Sequence, residues 1–122
     1  MTSFARLSCV VGTLPGGACC VTLTGELDLD NAPGLRSELN GIVLERGQYL
    51  VIDMTGVTFC DSSGVTALLN AYDRAQSVGA TLVAAGLTEI VRRVFELTGL
   101  SRVITAYPTP AAAVAALAGP SA

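Results

Sequence analysis

Apolar and polar positions along the chain follow two rhythms that alternate from one segment to the next. "ARLSCVV" reads as a first strand, "GTLPGGA" as a Gly/Pro-rich turn, and "CCVTLTGELD" as a second strand. In the second strand Cys19, Val21 and Leu23 share one face, and Cys20, Thr22 and Thr24 share the other. The short link between the two strands predicts a hairpin. "LDNAPGLRSELNGIVLERG" then changes to helical spacing, with Leu35, Leu39, Ile42 and Val43 as its apolar stripe. Asp30 and Asn31 are cap-forming residues, Pro33 stands in the first turn where its missing N–H costs nothing, and Gly47 lies beyond the last turn. Gly34 and Gly41 weaken this helix, so packing must hold it.

The second half repeats the alternation. "YLVIDM" is a short, continuously apolar strand of the kind covered on both faces in a parallel sheet. "VTFCDSSGVTALL" leads from it through a short loop into a helix spanning Ser63 to Val78, with Val65, Leu68, Leu69 and Tyr72 as the expected buried stripe. "ATLVAAG" is another buried strand. "LTEIVRRVFELTG" is a helix with Ile90, Val91, Val94 and Leu97 directed inward and Thr88 as its cap. "SRVITAY" reads as a last strand and "TPAAAVAALAG" as a final short helix with Pro110 at its start. The order β-β-α-β-α-β-α-β-α predicts a single α/β domain over residues 1–122, with a mixed, mostly parallel sheet and helices packed on it. Its core is expected over about residues 7–117, with 118–122 fraying.

Composition narrows the chemistry. Half of the 122 residues are hydrophobic (51%), enough for one sizeable core and too few residues for two. The net charge is −3, every basic residue is Arg, and no basic run offers a footprint for nucleic acid or an anionic membrane. Without histidine, no Ser-His-Asp or Cys-His arrangement can form within the chain, and imidazole metal ligands are absent. Cys9, Cys19, Cys20 and Cys60 form no C-x-x-C pair and read as free thiols in a reducing compartment. The start "MTSFARLSCVV" lacks the features of a signal peptide, and no apolar run is long enough to span a bilayer, so a cytoplasmic location is expected. No metal, cofactor or catalytic residue is expected.

The junction "CDSSG" concentrates hydroxyls and a carboxylate where a strand hands over to a helix, the place where α/β sheets gather function. "GELD" ends the second strand in the same way. A helix cap needs one of these side chains: Ser62 if the helix begins at Ser63, or Asp61 with the cap shifted by one. The remaining hydroxyl lies in the first turn, where the helix dipole favours added negative charge. No base is available to make either serine a nucleophile.

"VTLTGELDLDNAPGLR" followed by "YLVIDMTGVTFCDSSGVTALLNAYDRAQSVGATLVAAGLTEIVRRVFELTGLSRVI" resembles a STAS domain of the anti-sigma factor antagonist type. The resemblance runs from about Leu7 to Leu117. Its specific elements are "GELD", the D-x-x-x-V-x-F-x-D-S-S-G pattern from Asp53 to Gly64, and V-x-x-x-F-x-x-x-G-L from Val91 to Leu100. It implies a binding module whose unmodified form holds an anti-sigma factor and frees a sigma factor. The anti-sigma factor would also be an ATP-dependent serine kinase that phosphorylates Ser63 and so ends binding, with a phosphoserine phosphatase restoring it. The contact surface implied comprises Asp28, Asp61, Ser62, Ser63 and Gly64, on a monomer or weak dimer. The rival expectation is a STAS scaffold or subunit of a stress-signalling or lipid-transport assembly whose serines never meet a kinase.

Overall fold

A computed structural model of the chain describes residues 1–117. The expected fraying of 118–122 lies outside the described residues. Among the described residues six strands form one sheet in chain order: β1 (Thr2–Phe4), β2 (Leu7–Thr13), β3 (Cys19–Leu27), β4 (Tyr49–Cys60), β5 (Thr81–Ala85) and β6 (Ala106–Tyr107). The first three run antiparallel as consecutive hairpins, whereas β3, β4, β5 and β6 are parallel neighbours. The parallel strands are joined by α1 (Ala32–Asn40), α2 (Ser62–Val78) and α3 (Glu89–Thr98), and α4 (Pro110–Leu117) follows β6.

Stepping always to the next strand with the same hand of crossover puts α1, α2 and α3 on one face of the sheet. Beneath them lies the main core, built from Leu23, Leu27, Leu35, Leu39, Ile52, Leu68, Val91 and Phe95 among others. The opposite face carries a thinner cluster in which α4 supplies Ala113 against Cys20, Val51, Val83 and Ala85. Cys19 and Cys20 therefore face different clusters, as the period-2 reading of β3 requires.

The alternation along the chain holds, with local corrections. A strand at Thr2–Phe4 precedes the first expected one, and Phe4 lays its ring over Gly34, where a Cβ would lie 2.5 Å from the ring. The weak glycine in α1 thus makes room for Phe4. β4 does not stop after "YLVIDM" but continues to Cys60, and its pairing with β3 slips by one residue between Asp53 and Gly56 and again between Val57 and Phe59. Asp53 turns back on the chain there, accepting from the Thr55 N–H (3.1 Å) and the Thr55 hydroxyl (2.6 Å).

The buried faces of two helices match expectation in part. In α2 Gly64, Ala67, Leu68, Ala71 and Ala75 are buried, Val65 is half-buried and Leu69 is exposed. In α3 Val91 and Phe95 are buried, whereas Ile90 and Leu97 are exposed. Small residues let a helix approach the sheet closely, so alanines share the inward face of α2 with Leu68. The helix of "LDNAPGLRSELNG" ends at Asn40, leaving Val43 exposed, and Arg74 of α2 donates to the Leu39 (3.0 Å) and Ile42 carbonyls there. "SRVIT" is not a strand: Gly99, at φ 80°, ends α3 and Leu100–Arg102 form a 3-10 turn, so that Leu100 and Ile104 both reach the core. The ladder to β5 is made by the following Ala106–Tyr107.

Candidate functional site

The register of β3 and β4 builds the site. Leu27 and Cys60, the last residues of these parallel neighbours, lie directly opposite each other. Asp28 and Asp61 follow them, so two acids far apart in sequence leave the same edge of the sheet together. The Asp61 N–H donates to the Leu27 carbonyl at 3.1 Å, tying the two exits.

Asp61 is the N-cap of α2. Its extended backbone aims the carboxylate back over the helix start, where Oδ1 accepts the N–H of Ser63 at 2.9 Å and of Gly64 at 3.2 Å. The second oxygen, Oδ2, accepts the Leu29 N–H at 3.1 Å. One side chain thus caps α2 and anchors the β3–α1 loop, a task for two oxygens that a serine hydroxyl cannot perform. Of the two caps that the sequence offers, the structure takes Asp61: Ser62 is the first helical residue, exposed, with its carbonyl accepting from the Thr66 hydroxyl at 3.0 Å.

Ser63 is half-buried and opens onto a cleft of about 220 Å³ between α1 and α2, which it lines with Leu29, Ala32, Pro33, Arg36, Thr66 and Ala67. Among the described residues its hydroxyl has no hydrogen-bond partner. Gly64 faces the other way. A Cβ there would lie 2.6 Å from Leu27 Cγ and 2.8 Å from Cys60 Sγ, so only a glycine lets α2 start this close to the ends of β3 and β4. The Cys60 thiol beneath it is pushed up to about 12 by burial, with the Asp61 charge adding to the effect. It is a packing group, not a nucleophile.

Asp28 is held differently. Arg6, at a left-handed φ of 62° between β1 and β2, donates from Nε (3.0 Å) and Nη2 (2.7 Å) to Asp28 Oδ2, and from Nη2 to Asp30 Oδ2 at 2.8 Å. The Arg6 guanidinium holds the Asp28 carboxyl below its ordinary value. Asp28 Oδ1 accepts the N–H groups of Asp30 (3.0 Å) and Asn31 (3.3 Å). Asn31 is buried, and its side chain does not cap α1. It braces the loop instead, accepting the Asp28 N–H at 2.9 Å and donating to the Ala5 (2.6 Å) and Glu26 (2.7 Å) carbonyls.

The structure therefore gathers Asp61, Ser62 and Ser63 at one helix start, buries Gly64 under it, and sets Asp28 beside it in a clamp with Arg6. Sequence reading missed Arg6, Leu29 and Arg36. Leu29 is 70% exposed beside Ser63. Its signal was an apolar residue flanked by acids in "DLD", outside any helical stripe. Arg6 and Arg36 gave no signal, because only packing brings the first to Asp28 and the second to the cleft beside Ser63.

Comparison with known proteins bears on what this arrangement does. A profile of the STAS domain family matches residues 13–113. The anti-sigma-B factor antagonist of Listeria monocytogenes serovar 1/2a is 33% identical over 84 residues, covering 69% of this chain and 74% of that protein. The crystal structure of an anti-sigma factor antagonist from Mycobacterium paratuberculosis superposes with a TM-score of 0.78 at 28% identity, covering 97% of this chain and 99% of the other. The anti-sigma factor antagonist SpoIIAA in its unphosphorylated form gives a TM-score of 0.75 at 19% identity, over 94% of this chain and 100% of that one. Its phosphorylated form gives 0.66 at 20% identity, over 90% and 99%. At that identity the likeness shows a shared fold.

Proposed function

The chain belongs to the STAS domain family, and from that premise we propose that it is an anti-sigma factor antagonist switched by phosphorylation of Ser63. The observation that carries this reading is the division of labour at the start of α2. Asp61 satisfies the helix, which leaves the Ser63 hydroxyl unbonded and facing a surface cleft. In its unmodified form the domain binds an anti-sigma factor through the surface around Ser63, with the exposed Leu29 as an apolar contact beside it. Asp28, Asp61 and Ser62 complete that surface, and Gly64 sets its height by letting α2 sit low. Relatives bearing the antagonist name support a binding role over catalysis. Among the described residues no helix is long and apolar enough to cross a membrane, and a cytoplasmic setting suits a regulator of transcription.

The partner is proposed also to be the kinase. The Ser63 Oγ attacks the γ-phosphorus of ATP, the new O–P bond forms as the bridging bond to the β-phosphate breaks, and the hydroxyl proton leaves to a base of the kinase. The products are phosphoserine and ADP. Near pH 7 the new group carries a charge of about −1.5 to −2. Pressed against a partner beside the Asp61 carboxylate, that charge weakens association. A phosphoserine phosphatase resets the switch by hydrolysis.

The test combines phosphopeptide mapping with a binding titration, using the cognate anti-sigma factor and ATP. Phosphate is expected on Ser63 alone, with weaker binding afterwards. Ser63→Ala should stay folded and resist modification, and Ser63→Asp should lose part of the binding. Phosphate on Ser62, or undiminished binding by the modified protein, would refute the proposal.

A further inference from the structure

We propose that Arg36 is the internal counter-ion of phosphorylated Ser63, so that the modified side chain is drawn across the cleft toward α1. This inference rests on the reading of Ser63 as the modified residue. Two observations lead to it.

The first is that Asp61 already takes two of the N–H groups at the helix start. A phosphate in the first turn of a helix would ordinarily take the free N–H groups there. Here the N–H groups of Ser63 and Gly64 both donate to Asp61 Oδ1. A phosphate on Ser63 could claim them only by displacing a carboxylate that also anchors Leu29. Charge repulsion from Asp61 acts against that exchange and directs the phosphate away from its own helix start.

The second is what lies on the other side. Ser63 opens onto the α1–α2 cleft, and Arg36 of α1 is the cation among the residues that line it. Arg36 is exposed and, among the described residues, has no ion pair or hydrogen bond. Arg6, by contrast, is engaged with Asp28 and Asp30, and Arg74 with the carbonyls at the end of α1. The other cleft walls, Leu29, Ala32, Pro33, Thr66 and Ala67, are uncharged. The charged groups that bear on a phosphate in this cleft are then Arg36 from α1, Asp61 from the start of α2, and Asp28 and Asp30 from the β3–α1 loop. Both of the latter are paired with Arg6. A guanidinium matches phosphate oxygens in a two-pronged geometry, so one arginine suffices to hold the group. The modification then does more than add charge: it enters the cleft and bridges α1 to α2 over the surface beside Leu29.

The experiment installs phosphoserine at position 63 during translation and follows its second ionisation by phosphorus NMR. In the otherwise unaltered protein this pKa is expected to lie below that of Arg36→Gln by about half a pH unit, the size typical of an exposed charge pair. Arg36→Lys should fall between the two. Arg92→Gln, on α3 and outside the cleft, should match the unaltered protein. Coincident titrations of the unaltered protein and Arg36→Gln, or an equal shift from Arg92→Gln, would overturn the proposal. Because no kinase is used, this result is read independently of whether an anti-sigma factor modifies Ser63. A null result here removes the counter-ion and leaves the switch standing.

Discussion

The loops leaving β3 and β4 begin alike and end with different tasks. Each opens on an aspartate, at Leu27–Asp28 and at Cys60–Asp61, and each aspartate accepts two backbone N–H groups with one oxygen. After β3 the remaining oxygen meets Arg6, which neutralises it and locks the loop to the β1–β2 corner. After β4 the remaining oxygen meets a backbone N–H of the other loop, and no cation meets it among the described residues. The same side chain thus makes a closed clamp in one loop and keeps its charge beside a free hydroxyl in the other. Where a cation stands decides which loop can respond to a new charge.

The glycines under the two loops give the sharpest way to break this arrangement. Gly25 lies at φ +117° and its Cβ would run into the Arg6 carbonyl, which accepts the Glu26 N–H at 2.8 Å. Gly25→Ala combines backbone strain with a steric clash, and denaturant unfolding should show a loss of about 3 kcal/mol or more. Gly64→Ala meets side chains only, Leu27 and Cys60, and should cost about 2 kcal/mol in the same measurement. An unfolding midpoint that stays in place for either variant would mean that these close approaches are not required.

Removing Asp61 should come next. Asp61→Ala leaves the Ser63, Gly64 and Leu29 N–H groups without their acceptor, for an expected loss of about 1–2 kcal/mol. Amide exchange should quicken at Leu29 as well as in α2, since one carboxylate serves both. Exchange that quickens in α2 alone would show the loops to be independent.

The Arg6 clamp should reveal itself through pH. Its hydrogen bonds hold the Asp28 carboxyl below the ordinary 3.8, so the folded-state pKa lies under the unfolded one. The stability linked to that shift is present above about pH 4 and lost as pH falls through the folded value. Arg6→Asn keeps a residue that tolerates the left-handed backbone and removes the guanidinium. The stability gap between the two proteins should narrow below about pH 4 in unfolding curves taken from neutral to acid. A gap that is constant with pH would dissociate Arg6 from Asp28.

The smallest effect is expected at Ser62. With Asp61 as the cap, Ser62→Ala should change stability by less than about 0.5 kcal/mol. A loss near 1 kcal/mol would restore Ser62 to the capping role that the D-S-S run suggests when read as a sequence.

How far the site was legible follows from where its signals lie. Ser63 at a helix start and Asp61 beside it were readable because capping is local chemistry, settled within a few residues. Which of Ser62 and Asp61 caps was not, because the choice turned on Leu29, whose N–H arrives from 32 residues away. Of the stripe expected in α2, Leu68 is buried and Val65 and Tyr72 pack against the core, whereas Leu69 is exposed. Leu69 looked like a core residue by size, whereas Ala67, Ala71 and Ala75 occupy the inner face because the helix lies close to the sheet. The final strand was misplaced because "SRVIT" is apolar enough for a strand, yet Gly99 turns the chain so that Leu100 and Ile104 fill the core from a tight turn.

By itself the sequence determined the alternation of strand and helix, the single α/β core, the absence of histidine chemistry and the serine at the helix start. These depend on periodicity, composition and contacts between near neighbours along the chain. The tertiary structure alone decided that Asp28 and Asp61 leave one edge of the sheet together, that Arg6 neutralises only the first, and that Arg36 shares a cleft with Ser63. The physical reason is that charge and close packing act through space. Their partners are chosen by strand register and helix approach, which no local pattern in the chain encodes.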